Sequence, residues 1–141
     1  MISNAYANKI LQHICGVSAI GTLPSSLYLG LCKTAPNAAT GAVTSEPTAA
    51  SYERVVVGGS STSGDKKFGS ATGGIITNTT EIQFKTARQA WGDLAYFFLS
   101  ESSTGNAIVW GEITGGVTVG AETVPTFYEN ELKISLDVAL S

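Results

Sequence analysis

After Gly16, apolar residues recur at every second position or in short runs, and Gly, Pro, Asn, Ser and Thr bound these runs. Because successive side chains of a strand point to opposite faces, this pattern predicts half-buried β-strands. The candidate strands are 26–33, 52–58, 74–78, 80–84, 93–100, 107–113, 116–119, 123–127 and 131–138. Short strands at this spacing, without a second helical pattern, predict a mainly β fold, an antiparallel β-sandwich or barrel-like domain.

Two local patterns support this fold class. In the last candidate strand, Leu132, Ile134, Leu136 and Val138 point to one face, and polar residues between them point to the other. Residues 102–106, with the sequence Ser-Ser-Thr-Gly-Asn, predict a hairpin turn between two apolar strands.

Residues 1–16 carry the single convincing helical pattern of the chain. Ser3 is a suitable N-cap, and Gly16 is a suitable residue to end the helix. The apolar face consists of Ile2, Tyr6, Ile10, Leu11 and Ile14. A helix this short is unstable alone in water. We therefore expect its apolar face to dock, either on its own domain or on a neighbouring molecule.

The length of 141 residues fits a single domain spanning 1–141, and two stretches in it predict long surface loops. Residues 34–50 are rich in Ala, Thr, Pro and Gly, and residues 58–74 are rich in Gly and Ser. We expect neither loop to contribute to the core. Loops of this length are often functional. We interpret them as segments that become ordered against a neighbour, and plain mobile loops are the alternative.

The composition bears on the partners of the chain. Charged residues make up only 13% of the sequence, about half the usual fraction. This favours a surface covered by other protein, although the 31 Ser and Thr residues offer another way to stay soluble. The net charge is −3, and the largest basic cluster is the pair Lys66-Lys67. The basic surface that a nucleic-acid partner requires is therefore not predicted.

The residues that perform chemistry are few. His13 is the one histidine, and beside the apolar face we expect it to be a partly buried packing residue. Cys15 and Cys32 have apolar neighbours, which favours two buried free thiols over a disulfide. Glu129 and Glu131 are best interpreted as solvated charges on a strand face. The sequence has no metal-ligand spacing, phosphate-binding loop or nucleophile elbow, so we expect no catalytic, cofactor or metal site.

The N-terminus has neither a basic region followed by an apolar stretch nor a segment long enough to span a membrane. We therefore expect the protein to be synthesised and kept in a cytoplasm, without a membrane partner.

The aromatic residues have two interpretations. Trp91 and Trp110 each precede a glycine, and they serve either as core residues where strands pass closely or as an exposed platform for sugars or a partner. We favour the core for both. Four tyrosines are expected to pack their rings into the protein and to place the hydroxyl at the edge of the core; these are Tyr28, Tyr52, Tyr96 and Tyr128.

The order of these features resembles a family of small tailed-bacteriophage virion proteins, labelled as tail-fibre or capsid-decoration proteins. The shared pattern consists of Tyr6-Ala7-Asn8-Lys9-Ile10-Leu11, Leu27-Tyr28-Leu29-Gly30-Leu31, Thr34-Ala35-Pro36, Tyr52-Glu53-Arg54-Val55, Asn78-Thr79-Thr80-Glu81-Ile82-Gln83-Phe84, Trp91-Gly92, Tyr96-Phe97-Phe98-Leu99, Trp110-Gly111-Glu112-Ile113-Thr114 and Leu132-Lys133-Ile134-Ser135-Leu136-Asp137. The resemblance covers nearly the whole chain. It implies a virion role, a β-sandwich-like domain and synthesis in a bacterial host.

The leading functional hypothesis is a capsid decoration protein that binds the major capsid protein outside the shell as a homo-oligomer, with a trimer favoured. The alternative is a tail or fibre-associated receptor-binding component, which would contact host glycans. A fibre shaft should show heptads or repeats, and this sequence has neither. A secreted carbohydrate-binding module is a third interpretation, which the N-terminus disfavours.

Overall fold

The computed structural model describes residues 1–61 and 66–136. One helix, α1 (Asn4–Ile14), precedes all the strands. The strands are β1 (Leu27–Cys32), β2 (Val55–Gly58), β3 (Ile75–Thr77), β4 (Ile82–Gln83), β5 (Gly92–Ser100), β6 (Ala107–Val119), β7 (Thr126–Phe127) and β8 (Lys133–Ser135). The predicted mainly β fold with a short N-terminal helix is confirmed.

The strands form one larger sheet and two ribbons, and all their pairings are antiparallel. The larger sheet has the order β2-β1-β5-β6, and the ribbons are β3-β8 and β4-β7. The long β5-β6 hairpin turns through the predicted residues 102–106.

The two ribbons cover one face of the larger sheet and enclose the main core. Leu29 of β1, Val57 of β2 and Phe97 of β5 pack there with Ile82 of β4 and Leu132 ahead of β8. A shift of register in β5 between Leu94 and Tyr96 places Leu94 in this core with Phe97 and Leu99. A sheet packed against ribbons is the sandwich-like arrangement that alternating apolar strands predict.

The opposite face of the sheet carries a smaller core of Cys32, Phe98, Ala107 and Trp110. Val43 packs on this core from the 34–50 segment, so the expectation that this segment adds nothing to the core is wrong. Gly41 explains the close approach of the segment to the sheet. Its φ is +80°, the Ala107 N–H donates to its carbonyl at 2.7 Å, and a Cβ there would collide with the Ala107 backbone.

The second predicted loop, 58–74, is described on both sides of residues 62–65, which lie outside the described residues. After this gap the chain runs along the sheet, where the Lys67 N–H donates to Val57 O at 2.9 Å and Phe68 packs against the main core. The contribution of Phe68 also corrects the expectation that this segment adds nothing to the core.

Several strand boundaries differ from the sequence prediction. The segments 107–113 and 116–119 form one strand, β6, because a bulge around Gly115 and Gly116 (φ +77° and +68°) interrupts the pairing with β5 without ending the strand. β8 is shorter than the predicted 131–138, of which Asp137 and Val138 lie outside the described residues.

Helix α1 begins and ends as predicted. The Ser3 hydroxyl accepts a hydrogen bond from the Tyr6 N–H at 3.2 Å, which is N-cap geometry. At the other end, Gly16 has φ +72° and donates to His13 O, while the Val17 N–H donates to Gln12 O at 2.8 Å. These two bonds form a Schellman turn, which returns Val17 toward the last turn of the helix.

Candidate assembly surface

The residues before α1 fix the helix to the edge of the larger sheet. Ile2 pairs with Val109 of β6, the Ser3 N–H donates to Ile108 O at 2.9 Å, and the Trp110 N–H donates to Met1 O at 2.8 Å. The N-terminus thus extends the sheet by a short strand segment beside β6.

The first turn of α1 is also bound to the 34–50 segment. The Asn4 N–H donates to Ala38 O at 2.9 Å, and the Ala5 N–H donates to Ala39 O at 3.1 Å. Since the first N–H groups of a helix have no partner within it, these contacts satisfy two donors and also set the direction of the helix.

The side of α1 that faces the body carries the half-buried residues Tyr6, Ala7 and Ile10. Tyr6 and Lys9 border a cleft of about 350 Å³ against Glu101 and Asn106 of the β5-β6 turn. Lys9 Nζ lies 5.7 Å from the centre of the Tyr6 ring. Partial burial, and secondarily the charge of Glu101, raises the pKa of the Tyr6 hydroxyl.

The C-terminal end of α1 and the turn after it expose three apolar side chains. Leu11 is 59% exposed, and Ile14 and Val17 are each 72% exposed. We call these three residues the arm patch. The helix thus packs the N-terminal part of its apolar face, Tyr6 and Ile10, against its own body and leaves the C-terminal part exposed.

His13 is exposed, so the prediction of a partly buried packing residue is wrong. The end of the helix beside it, with Leu11 and Ile14, is exposed, and His13 shares this exposure. Its Nδ1 accepts a hydrogen bond from the Ile20 N–H at 3.2 Å, which holds the chain that follows the helix.

Cys15 and Cys32 are both free thiols, as predicted, but only Cys32 is buried. Cys15 is the C-cap of α1 and shares the exposure of that end of the helix. Burial, then the charge of Glu46, raises the pKa of the Cys32 thiol to about 12, and Arg54 partly opposes this shift.

Both tryptophans are core residues, which confirms the favoured interpretation. Trp91 and Trp110 are 3% and 5% exposed, and Trp91 Nε1 donates to Ser51 Oγ at 3.1 Å. Close packing explains Gly111, where a Cβ would lie 2.7 Å from the Phe97 ring. The glycine after Trp91, Gly92, is required for a different reason. Its φ is +88°, a backbone conformation that glycine adopts readily.

The tyrosines divide into two groups. Tyr28, Tyr52 and Tyr96 are half-buried, as expected, and the Tyr52 hydroxyl donates to Glu46 Oε1 at 2.8 Å. Tyr128 is 61% exposed, so the packed interpretation is wrong for that residue. It lies in a turn where its N–H donates to Glu131 Oε2. Glu129 and Glu131 are exposed, as expected, but they lie in this turn before β8 and not on a strand face.

Sequence reasoning missed a buried arginine. The Arg54 side chain is 3% exposed and forms a two-point ion pair with Glu46, with both N–O distances 2.9 Å. Its Nη1 also donates to Ser100 Oγ, Ser102 O and Gly105 O, and the guanidinium lies 4.7 Å from the centre of the Phe98 ring. Neither charge pattern nor spacing in the sequence indicates this network, because its partners come from the 34–50 segment and from the β5-β6 hairpin, and the hairpin is distant in sequence from Arg54.

Within residues 1–61 and 66–136, no group of His, Cys, Asp and Glu is arranged to hold a metal ion. No helix in the same ranges has the length and apolar character needed to cross a membrane.

An antiparallel β body with an exposed apolar helix face is typical of a structural protein that works through contacts with other proteins. The sequence model of the family described as podophage GP4 fiber I protein gp80 matches residues 1–135. The chain belongs to this family and is a bacteriophage virion structural protein, which confirms the resemblance found in the sequence. No curated protein matches the chain.

Proposed function

We propose that this protein is a non-enzymatic structural component of a podophage fibre and works by binding other virion proteins. The family match over residues 1–135 carries the proposal, since the family is described as a fibre protein. The arm patch supports it, because an apolar face that its own body leaves exposed is suited to contact with another protein.

The ionisable groups also support a structural role. Burial is the largest cause of the raised pKa values of Tyr6, Cys32 and Tyr52. Cys32 packs in the smaller core, and the Tyr52 hydroxyl is bound to Glu46, the ion-pair partner of Arg54.

Capsid decoration, with the major capsid protein as the partner and the outside of the shell as the location, stays a prediction. The family description favours a fibre over it. The arm patch does not distinguish the two roles, since both require an exposed contact surface. The glycan-binding alternative loses its aromatic platform, because Trp91 and Trp110 are buried.

Immunogold electron microscopy of purified particles tests this proposal. With antibodies raised against the purified protein, we expect gold on the fibres. Antibody absorbed beforehand with the same protein is the control and should leave particles unlabelled. Label spread over the head would overturn the fibre role in favour of capsid decoration, and unlabelled particles would overturn a virion role.

A further inference from the structure

The first part of the 34–50 segment is a closed loop that rests on the smaller core. Its two ends are joined, because the Thr34 N–H donates to Ser45 Oγ at 2.9 Å and the two side-chain hydroxyls lie 2.8 Å apart. We call residues 34–45 the lid. We propose that the lid opens as a unit while the sheet stays folded, and that this motion uncovers Cys32. The proposal concerns a motion of the protein and is independent of the fibre role.

The lid is held together by its own hydrogen bonds. Asn37 Oδ1 accepts from the Ala39 and Thr40 N–H groups at 3.0 and 3.1 Å. The base of the lid is anchored separately, since Glu46, the next residue of the chain, forms the two-point ion pair with Arg54. A loop with joined ends, internal bonds and an anchored base can leave the sheet without losing its own structure.

The tip of the lid packs lightly on the sheet. Residues 37–40 are exposed, and the Ala107 N–H donates to Gly41 O at 2.7 Å. Within the described residues, Val43 is the one apolar side chain that the lid adds to the smaller core. Regions with few buried apolar contacts open at a lower free energy than the whole fold. We therefore expect the lid to open far more often than the protein unfolds.

Helix α1 also holds the lid. The Asn4 N–H donates to Ala38 O at 2.9 Å, and the Ala5 N–H donates to Ala39 O at 3.1 Å. These N–H groups belong to the first turn of the helix and have no partner within it, so the lid carbonyls satisfy them. The two elements are therefore coupled, and we expect a partner that shifts α1 to loosen the lid.

Cys32 reports on the lid, because its thiol is free and buried in the smaller core. Cys15→Ser leaves Cys32 as the one cysteine of the chain, and its rate of reaction with Ellman's reagent then measures how often it becomes exposed. A local opening exposes little surface, so below the unfolding transition we expect this rate to be nearly independent of urea. A rate that rises with the full urea dependence of global unfolding would overturn the proposal.

Gly41→Ala, made in the Cys15→Ser protein, should loosen the lid. A Cβ there would collide with the Ala107 carbonyl, so we expect the Cys32 rate without urea to rise about tenfold or more. The control is Gly73→Ala in the turn before β3. Gly73 also has a left-handed backbone (φ +61°), but a Cβ there meets nothing within 4 Å, so the rate should stay within about twofold of the parent. Equal rates for the two variants would contradict the lid.

A second pair of variants changes a single hydrogen bond. Asn4→Pro removes the N–H that donates to Ala38 O, and proline fits both the first position of a helix and the extended Ser3 before it (φ −66°, ψ 146°). We expect Asn4→Pro to raise the Cys32 rate about fivefold, whereas Asn4→Ala, which keeps the N–H, should leave it unchanged. Because Asn4 is exposed, this pair decides even if Gly41→Ala does not fold. Equal rates for the proline and alanine variants would overturn the coupling of the lid to α1.

Discussion

Gly30 illustrates how closely the smaller core is packed. A Cβ on this residue of β1 would lie 2.3 Å from the Phe98 ring, and the Arg54 guanidinium lies 4.7 Å from the centre of the same ring. We expect Gly30→Ala to lower the free energy of unfolding by about 1–3 kcal/mol, because the ring has to leave its position. Urea unfolding followed by tryptophan fluorescence measures the change.

Gly120→Ala is the matched control for this substitution. A Cβ at Gly120 meets nothing within 4 Å, and its backbone does not have a positive φ. The control should unfold close to the wild-type midpoint. Equal midpoints for Gly30→Ala and Gly120→Ala would show that the Phe98 ring does not limit space at β1.

The two thiols should differ in reactivity. In the folded protein at pH 8, we expect Ellman's reagent to modify Cys15 rapidly and Cys32 hardly at all. Cys15 is exposed, while Cys32 is buried and its pKa is raised to about 12 by burial and the nearby Glu46. Cys15→Ser should abolish the rapid reaction, and urea should make Cys32 reactive. Rapid reaction of both thiols in the folded protein would contradict the described packing.

At the scale of elements, Arg54 connects the 34–50 segment with the β5-β6 hairpin. It binds Glu46 of the 34–50 segment, Ser100 at the end of β5 and the Ser102 and Gly105 carbonyls of the hairpin turn. We expect Arg54→Ala to lower the free energy of unfolding by about 3 kcal/mol, since it leaves these acceptors without their donor. Thermal and urea unfolding both measure this loss.

Lys85→Ala provides the comparison for Arg54→Ala. Lys85 also forms an ion pair, with Glu53 at 2.7 Å, but both side chains are more than half exposed. Exposed pairs contribute little, so we expect a change of less than about 1 kcal/mol. If the two alanine variants lost similar stability, the buried network would not be what holds the 34–50 segment in place.

The elements best predicted from the sequence are those whose start, end and apolar face are visible within one short stretch of the chain. α1 was predicted because its cap, its apolar face and Gly16 are all visible within sixteen residues, and β1 and β5 were predicted because their apolar runs are long. The continuity of β6 and the packing of Val43 were not predicted. The first depends on residues 117–119 pairing with 92–94 of β5 beyond the bulge, and the second depends on a core whose other residues are distant in sequence.

The assembly surface was predicted only in part. Its apolar residues and its need for a partner follow from the helical pattern, but the pattern does not specify which side of α1 faces the body. That orientation is set by the backbone bonds of Ser3, Asn4 and Ala5 with distant segments. The exposure of His13 and Cys15 follows from the same orientation, which explains why both were predicted to be more buried than they are.

At the scale of the whole molecule, the pKa shifts predict a loss of stability in alkali. Burial is the main cause that raises the pKa of Tyr6, Cys32 and Tyr52 in the folded state. Unfolded Cys and Tyr side chains lose their protons near their ordinary pKa values while the folded protein retains them. The stabilising contribution is therefore complete at lower pH and lost as pH rises.

The urea midpoint should accordingly stay level up to about pH 8.5 and fall between about pH 9 and pH 11. Tyr52→Phe removes one of the three groups and should show a smaller fall over that range, although it starts from a lower midpoint because its bonds to Glu46 and Leu31 are lost. A midpoint that rises with pH in this range would contradict the direction of all three shifts.

The central claim is that the chain is a structural part of a podophage fibre. The number of copies per purified particle, measured by mass spectrometry against labelled peptide standards, tests this claim most directly. A fibre component should be present at a few to a few tens of copies, in constant ratio to the other fibre proteins. Hundreds of copies, in ratio to the major capsid protein, or no copies at all would contradict it.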